Sequence, residues 1–281
     1  MIRQKSFEGN TPTLYLVATP IGNLSEFTPR AIEVLKEVDI IAAEDTRNTM
    51  KLLTHFDIHT KCIAHHSHNE VESAKGLLRL LDEGKNIAVV SDAGYPLVSD
   101  PGQIVVNMVI EAGYSVVPIS GPSAGINALV ASGLAAQPYL FVGFLKANEN
   151  DRRKECIDLK NLRYTMVFYE APHRVKKMLT TCLEVFGNRK MCLARELTKK
   201  HEEFIRGTIQ EVLEVVDDCK GEMVIVIEGA KEVVEEVAFP MISEHIQQYI
   251  EQGYSTNEAI KKVAKERGLS KNEIYREYHN C

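Results

Sequence analysis

Short apolar runs alternate with longer amphipathic segments along most of the 281-residue chain, and this alternation limits the possible folds more than any other feature. Strands separated by helices usually form parallel sheets with helices on both faces. The pattern therefore predicts an α/β fold with largely parallel sheets. The predicted strands are 13–18, 39–43, 61–64, 86–90, 115–119, 139–145, 164–169, 190–194, 203–207 and 222–227.

Several intervening segments carry the boundary signals of helices. Thr28-Pro29 places a capping hydroxyl before a proline at the first helical position. Segment 69–83 opens with Asn and is followed by Gly84, and segment 103–112 is followed by Gly113. These signals predict helices between the strands.

The chain length predicts two domains, at about 150 residues per domain. The strand at 115–119 ends the first half, and a Ser-Gly-Pro-Ser turn precedes a second alternation. We therefore expect tandem α/β domains over 12–120 and 121–232, with the ligand cleft between them. A charged linker at 231–240 precedes a small helical segment, 240–281.

Composition and sequence pattern argue against membrane, secreted and metal-binding proteins. No apolar run approaches the roughly 20 residues of a membrane span, and the N-terminus lacks the pattern of a signal peptide. The six cysteines form no C-x-x-C pair, and the histidines clustered at 55, 59, 65, 66 and 68 have no second ligand pair nearby, so we expect reduced thiols and no metal. The expected location is the cytoplasm, with no membrane association.

Charge is distributed unevenly along the chain. Residues 13–120 carry 8 basic and 14 acidic groups, whereas residues 146–206 carry 15 basic and 9 acidic groups. Residues 207–281 carry 8 basic and 15 acidic groups. A basic second domain in an acidic protein indicates either a local anionic partner or a solvated surface of mixed charge.

Three loops follow strands and precede helices, which is where α/β proteins bind ligands. They are ATPIGN at 18–23, SDAGYPLVSDPG at 91–102 and SGPSAGI at 120–126. The chain lacks G-x-G-x-x-G and G-x-x-x-x-G-K-[ST], which disfavours dinucleotide and P-loop sites. If the three loops are functional, we expect them to converge on one small molecule. The alternative is that they are ordinary turns.

Charged clusters follow three further strands, at 44–47, 169–174 and 195–198. Each could bind phosphate or assist proton transfer, or be a surface ion pair. Segment 255–275 resembles a helix-turn-helix in its spacing, with a small residue at Ala264, a turn residue at Gly268 and an apolar residue at Ile274. A plain helical cap explains that spacing equally well.

Five motifs in this order closely resemble one family: ATPIGNLSEFTPRA, AEDTR, SDAGYPLVSDPG, SGPSAG and YEAPHR. It is the bacterial small-subunit ribosomal RNA (cytidine-2′-O-)-methyltransferase family, a branch of the tetrapyrrole methylase superfamily. The resemblance covers roughly residues 12–230. It implies S-adenosylmethionine-dependent 2′-O-methylation of a cytidine in the decoding region of 16S rRNA, on naked rRNA or the 30S subunit. It also implies a homodimer of two-domain subunits with the cofactor in the cleft.

The resemblance also assigns residues to the cofactor. The cofactor positions are Pro20, Ser91, Asp92, Val98, Ser123, Ala124, Glu170 and Leu197. Because a ribose hydroxyl is a poor nucleophile at neutral pH, a base or a cation should assist the reaction. We expect Glu44, Asp45 and Arg47 to face the ribose, and His173 and Arg174 to hold rRNA phosphates.

Two alternative functions remain open from the sequence. A tetrapyrrole C-methyltransferase acting on a cobalamin precursor would share the fold and the cofactor, but needs neither a basic domain nor the C-terminal segment. A non-enzymatic regulator could bind nucleic acid through residues 255–275. Under that hypothesis, some 230 residues of cleft-forming α/β structure would have no role.

Overall fold

The computed structural model describes residues 3–6, 8, 11–65, 70–100, 102–231, 240–267 and 269–279. Contacts divide the chain into two compact units, Met1–Lys231 and Glu232–Cys281. The first unit contains two five-stranded sheets, and the regular structure in the described residues of the second is helical. Among the described residues, no helix is both long and apolar enough to cross a membrane.

The first sheet is parallel throughout, as predicted. Its strands are β1 (Thr13–Val17), β2 (Ile40–Ala43), β3 (Lys61–Ala64), β4 (Ile87–Val90) and β5 (Ser115–Ile119). Their order is β3-β2-β4-β1-β5. Every residue of β2 and β4 is buried, because helices cover both faces of a parallel sheet.

Four helices connect these strands: α1 (Pro29–Glu37), α2 (Thr46–His55), α3 (Glu70–Asp82) and α4 (Gln103–Glu111). The predicted cap of α1 is present, since Thr28 Oγ1 accepts a hydrogen bond from the Ala31 N–H at 3.2 Å. After β1 the chain crosses β4 to reach β2 on one side of the sheet, whereas after β4 it crosses β1 to reach β5 on the other side. The strand order therefore reverses between β1 and β4, where α/β folds place ligands.

The second sheet corrects the prediction of largely parallel sheets. Its strands are β6 (Tyr139–Gly143), β7 (Thr165–Glu170), β8 (Lys190–Arg195), β9 (Glu203–Thr208) and β10 (Met223–Ile227), in the order β6-β7-β10-β8-β9. Only β6 and β7 pair in parallel. The connection between β8 and β9 is too short for a parallel crossover, which takes about a dozen residues. The two strands therefore pair antiparallel.

Helices α5 (Ala124–Ala131), α6 (Glu149–Leu159), α7 (Pro172–Phe186) and α8 (Ile209–Val215) accompany the second sheet. On one face of the sheet, β7 and β10 pack with α7 around Phe168, Met178 and Ile225, none of which is more than 1% exposed. On the other face, Val167 and Val226 pack with Ala128 and Leu129 of α5. Because α5 lies against this sheet, its first turn is fixed beside the carboxyl end of β7.

The second unit consists of α9 (Ile242–Glu251), α10 (Thr256–Arg267) and α11 (Lys271–His279). Ile246, Ile260 and Ile274 form its fully buried core. The two helices predicted around residues 255–275 are confirmed, and Ala264 and Ile274 pack into that core. The predicted turn residue, Gly268, lies outside the described residues.

Candidate active site

The loops after β1 and β4 are joined where the strand order reverses. Thr19 and Gly94 exchange two backbone hydrogen bonds, at 2.9 and 3.0 Å. The Thr19 hydroxyl donates to the Ser91 carbonyl at 3.1 Å, and the Ser91 hydroxyl donates to the Gly94 carbonyl at 3.0 Å. The loop after β5 joins them through a hydrogen bond from Gly121 N–H to Tyr95 Oη at 3.1 Å. The three predicted loops therefore converge.

A cleft of about 360 Å³ opens between these loops and the edge of the second sheet where β7 ends and β10 begins. Six of the eight predicted cofactor residues line it: Asp92, Val98, Ser123, Ala124, Glu170 and Leu197. Pro20 and Ser91 line an adjoining hollow, which shares Asp92 with the cleft. The cleft lining also includes residues of the predicted motifs that had no individual assignment (Tyr95, Ser99, Asp100 and Tyr169) and three residues outside them (Phe144, Glu222 and Met223).

The backbone of two lining loops is strained. Four of the five non-glycine residues with positive φ in the described chain lie there: Leu97 at 71°, Ser99 at 70°, Glu196 at 50° and Thr198 at 66°. Such conformations cost on the order of 1 kcal/mol each and are retained when surrounding contacts enforce them. The loops therefore hold their side chains in a fixed arrangement around the cleft.

Glu170 provides a buried acceptor in the cleft. Its residue exposure is 2%, and its Oε1 accepts from Ala171 N–H at 2.9 Å and faces Arg174 Nε at 3.2 Å. Its Oε2 has no hydrogen-bond partner among the residues that the structure describes. An unpaired buried carboxylate oxygen is costly, and a ligand that donates an N–H or O–H group would satisfy it.

Tyr169 fixes the wall of the cleft beside α5. Its hydroxyl oxygen accepts a hydrogen bond from the Gly125 N–H, at 3.1 Å, in the first turn of α5. Burial raises the pKa of Tyr169, so the hydroxyl is neutral at physiological pH. Phe144 packs edge-on against the Tyr169 ring at 5.7 Å and is 53% exposed. Together they form an aromatic surface that a planar ligand could contact.

A group of carboxylates lies on the side of the cleft formed by the first sheet. Burial, with Glu44 and Asp92 nearby, raises the pKa of Asp100 to about 6. The negative charge of Asp92 helps to raise the pKa of Arg47. The Asp92 Oδ2 also accepts a hydrogen bond from Asn48 at 3.0 Å. The loops after β2 and β4 therefore place their charges within electrostatic range of one another.

Asp45 caps α2 and holds Arg47. Its Oδ1 accepts from the Arg47 backbone N–H at 2.8 Å and from Arg47 Nε at 3.1 Å, while Oδ2 accepts from the guanidinium at 2.8 Å. These bonds lower the pKa of Asp45 to about 2. The Arg47 side chain is 87% exposed. Asp45 therefore orients a cation whose surface is open to solvent.

The two predicted substrate residues have different surroundings. His173 is exposed at the start of α7. Arg174 donates to the Leu145 carbonyl at 2.6 Å and pairs with Glu170. Arg174 thereby holds the acceptor of the cleft, while His173 is open to solvent.

No metal centre is present in the part of the chain that the structure describes: no three His, Cys, Asp or Glu side chains are grouped to hold an ion. His66 and His68, which belong to the histidine-rich stretch of the sequence, lie outside that part.

Comparison with known proteins agrees with the resemblance found in the five motifs. The pattern of the Tetrapyrrole (Corrin/Porphyrin) Methylases matches residues 13–213. The ribosomal RNA small subunit methyltransferase I of Bacillus subtilis is 46% identical over 99% of this chain and 98% of its own length. The chain belongs to that family. The family's protein from Halalkalibacterium halodurans is 48% identical over 95% of this chain and 94% of its own length.

Solved structures confirm the predicted tetrapyrrole-methylase fold. The methyltransferase CobJ matches with a TM-score of 0.59 at 17% identity, covering 78% of this chain and 94% of CobJ. A diphthine synthase matches with a TM-score of 0.60 at 10% identity, covering 77% of this chain and 89% of its own. A uroporphyrin-III C-methyltransferase from Thermus thermophilus, complexed with S-adenosyl homocysteine, has a TM-score of 0.56 at 17% identity and covers 77% of this chain and 97% of its own. At these identities the likeness concerns the fold alone.

Proposed function

We propose that this protein methylates the 2′-oxygen of a cytidine ribose in the decoding region of 16S rRNA, with S-adenosylmethionine as the methyl donor. The observation that carries the proposal is the cleft where the three loops converge, in a chain 46% identical to a ribosomal RNA small subunit methyltransferase over nearly its full length. The methyltransferase CobJ and the uroporphyrin-III C-methyltransferase described above share only 17% identity with this chain.

The cleft residues fit the chemical groups of S-adenosylmethionine. The unpaired Oε2 of Glu170 suits an amino or hydroxyl donor, and Ser123 and Ala124 at the start of α5 allow close approach of a ligand to the backbone. Val98 and Leu197 supply apolar contact. Asp92 carries a negative charge at the cleft rim, and Pro20 and Ser91 shape the adjoining hollow. When bound, the donor supplies an activated methyl group on a positively charged sulfur.

The protein's own contribution is alignment and exclusion of water, because the methyl group is already activated. We propose that Glu44, Asp45 and Arg47 border the substrate side of the site. The exposed guanidinium of Arg47, held by Asp45, is placed to meet the negative charge of the RNA backbone.

The basic stretch 146–206 supplies the wider rRNA surface. His173 is exposed, as are Lys146, Lys177 and Lys200. Arg174 contributes by fixing Glu170. We propose that the exposed cations contact phosphates on either side of the target nucleotide.

We further propose that the enzyme is a cytoplasmic homodimer acting on rRNA of the 30S subunit. Support for self-association comes from an apolar surface on α5 and the start of β6, where Ile126, Val130 and Tyr139 are 41%, 68% and 43% exposed. A patch of large exposed apolar side chains commonly marks an interface between proteins.

Transfer of a labelled methyl group tests the proposed function. Purified protein and methyl-labelled S-adenosylmethionine are incubated with 30S subunits, naked 16S rRNA or a cobalamin-precursor tetrapyrrole. We expect label in ribosomal RNA, located at a 2′-O-methylcytidine by nuclease digestion and mass spectrometry. Label in the tetrapyrrole alone would replace the proposal with the alternative enzyme.

RNA affinity should fall steeply with salt. If three or more phosphates are contacted, raising monovalent salt from about 50 to 200 mM should weaken 16S rRNA binding by roughly tenfold or more. Filter binding measures the change, and S-adenosylhomocysteine affinity under the same conditions should change by less than about twofold, because no polyanion is involved. Salt-independent RNA affinity would show that the basic surface does not bind phosphate.

Asp45→Ala should slow single-turnover methylation by about tenfold or more, because Arg47 loses the partner that orients it. The matched control is Thr208→Ala, which also removes a helix cap, at α8. The control should methylate at the wild-type rate. An Asp45→Ala rate within a few-fold of wild type would remove this group from the substrate side of the site.

A further inference from the structure

Helix α11, the second helix of the segment that resembles a helix-turn-helix, has one exposed face without acidic side chains. Ile274 is fully buried and Tyr278 packs partly buried against the same core, so these two residues fix the side of the helix that faces inward. At about 100° per residue, one outward side collects polar and aromatic side chains. These side chains, called the α11 face below, are all exposed: Lys271, Asn272, Tyr275, Arg276 and His279.

The acidic residues of α11, Glu273 and Glu277, lie beside this face and not on it. The Glu273 carboxylate accepts a hydrogen bond from the Ser270 N–H at 2.8 Å, and the Glu273 N–H donates to the Ser270 Oγ at 3.3 Å. These bonds, with Arg276 nearby, lower the pKa of Glu273. Among the residues that the structure describes, neither Lys271 nor Arg276 forms a salt bridge. Both cations are therefore available to an anionic ligand.

The aromatic side chains of the α11 face suit an unpaired base. Tyr275 is 48% exposed, and the centre of its ring lies 4.3 Å from that of His279. Exposed aromatic rings stack on unpaired bases of RNA, and neighbouring cations hold the phosphates. The deep major groove of double-helical RNA is too narrow for side chains to read. The face therefore fits a single-stranded segment better than a helical one.

The second unit lies outside the part of the chain that carries the methylase pattern. That pattern ends at residue 213, whereas the unit begins at Glu232. The match to the ribosomal RNA small subunit methyltransferase I of Bacillus subtilis extends over 99% of this chain, so it includes the second unit. An element that the ribosomal relative shares, and that the methylase pattern does not contain, is suited to substrate binding rather than to methyl transfer.

Resting on the proposed function, we propose that the α11 face is an rRNA-binding surface for a single-stranded segment of 16S rRNA. Tyr275 stacks on an unpaired base. Lys271 and Arg276, which flank Tyr275 around the helix, contact phosphates on either side of that base. Asn272 supplies a hydrogen bond to the sugar or the base edge. The face contributes affinity and takes no part in the chemistry.

Replacing both cations tests the phosphate contacts. In the full-length Lys271→Gln/Arg276→Gln protein, 16S rRNA affinity measured by filter binding at about 50 mM salt should fall by about tenfold or more, and the slope of log affinity against log salt should become shallower by about 1 to 2. The KM for 30S subunits should rise, while kcat and S-adenosylhomocysteine affinity stay within about twofold of wild type. The matched control is Lys75→Gln/Lys85→Gln, which removes two exposed cations of the first unit. It should bind rRNA as the wild type does.

Tyr275→Ala tests the stacking contact independently of charge. We expect 16S rRNA affinity to fall by about fivefold or more, because a stacked base is lost. The salt dependence should stay unchanged, because no cation is removed. Tyr275→Phe keeps the ring and should restore the affinity.

An unchanged rRNA affinity and salt slope in Lys271→Gln/Arg276→Gln, or an equal loss in the control variant, would overturn the proposal. So would tighter binding of a DNA duplex than of 16S rRNA through the same residues, which would make DNA the partner. If the wild type methylates 30S subunits and the α11 variants keep its KM, only the surface is wrong. If the wild type binds 16S rRNA through this face but transfers no methyl group, the proposed function is wrong and the surface stands.

Discussion

Ala124→Leu should abolish measurable cofactor binding, with S-adenosylhomocysteine affinity reduced by about 100-fold or more. Ala124 is the first residue of α5 and lines the cleft, so a leucine side chain occupies space that the ligand needs. Leucine is a good helix former, so the helix should persist. Isothermal calorimetry measures the affinity, and circular dichroism monitors the fold.

The matched control is Ala112→Leu, which makes the same change at the exposed end of α4. It should bind S-adenosylhomocysteine as the wild type does. A dissociation constant for Ala124→Leu within threefold of wild type would show that the ligand binds somewhere other than the cleft. Loss of binding in both variants would mean that the added leucine acts through the fold.

Gly229→Ala should destabilise the first unit by about 3 kcal/mol. A Cβ at this position would lie 2.2 Å from the Arg163 carbonyl carbon and 2.7 Å from the Tyr164 nitrogen. Both are backbone atoms, so the chain must shift, which threatens the adjacent hydrogen bond of 2.7 Å from Ala230 N to Leu162 O. Differential scanning calorimetry should show a melting temperature lower by roughly 5–10 °C.

Gly76→Ala is the opposite case and serves as its control. Gly76 lies within α3, and a Cβ there has no atom within 4 Å. Alanine should therefore raise the free energy of unfolding by up to about 1 kcal/mol. Equal melting temperatures for Gly229→Ala and the wild type would mean that Gly229 does not pack closely against the backbone of Arg163 and Tyr164.

Much of the fold could be predicted from hydrophobic pattern, and strand direction could not. All ten predicted strands form, because most of the apolar runs are buried between helices and sheets. Burial is the same in either direction of a strand, so the pattern alone does not distinguish β8–β9 as an antiparallel pair. The sequence feature that indicates antiparallel pairing is the short connection between β8 and β9. The division of residues 12–232 into domains at 120 stays a prediction.

The position of the site was predictable because strand ends and loop composition are local features. Six predicted cofactor residues line one cleft. Asp100 lay inside a motif already singled out, yet its properties arise from burial and from Glu44 in a distant loop, which sequence spacing does not encode. Phe144 was missed because an apolar residue next to a strand gives no sign of facing a ligand, and Tyr169, although it belongs to the YEAPHR motif, was given no individual role. Individual roles for Glu44, Asp45, Arg47 and the cofactor residues stay predictions.

Ribose-methylation mapping of 16S rRNA tests the central claim most directly. RNA from cells with and without the gene is compared, and subunits lacking the modification are then incubated with purified protein and S-adenosylmethionine. We predict loss of one 2′-O-methylcytidine in the decoding region, restored by the wild-type protein on 30S subunits. An unchanged map in cells lacking the gene would contradict ribosomal RNA as the substrate.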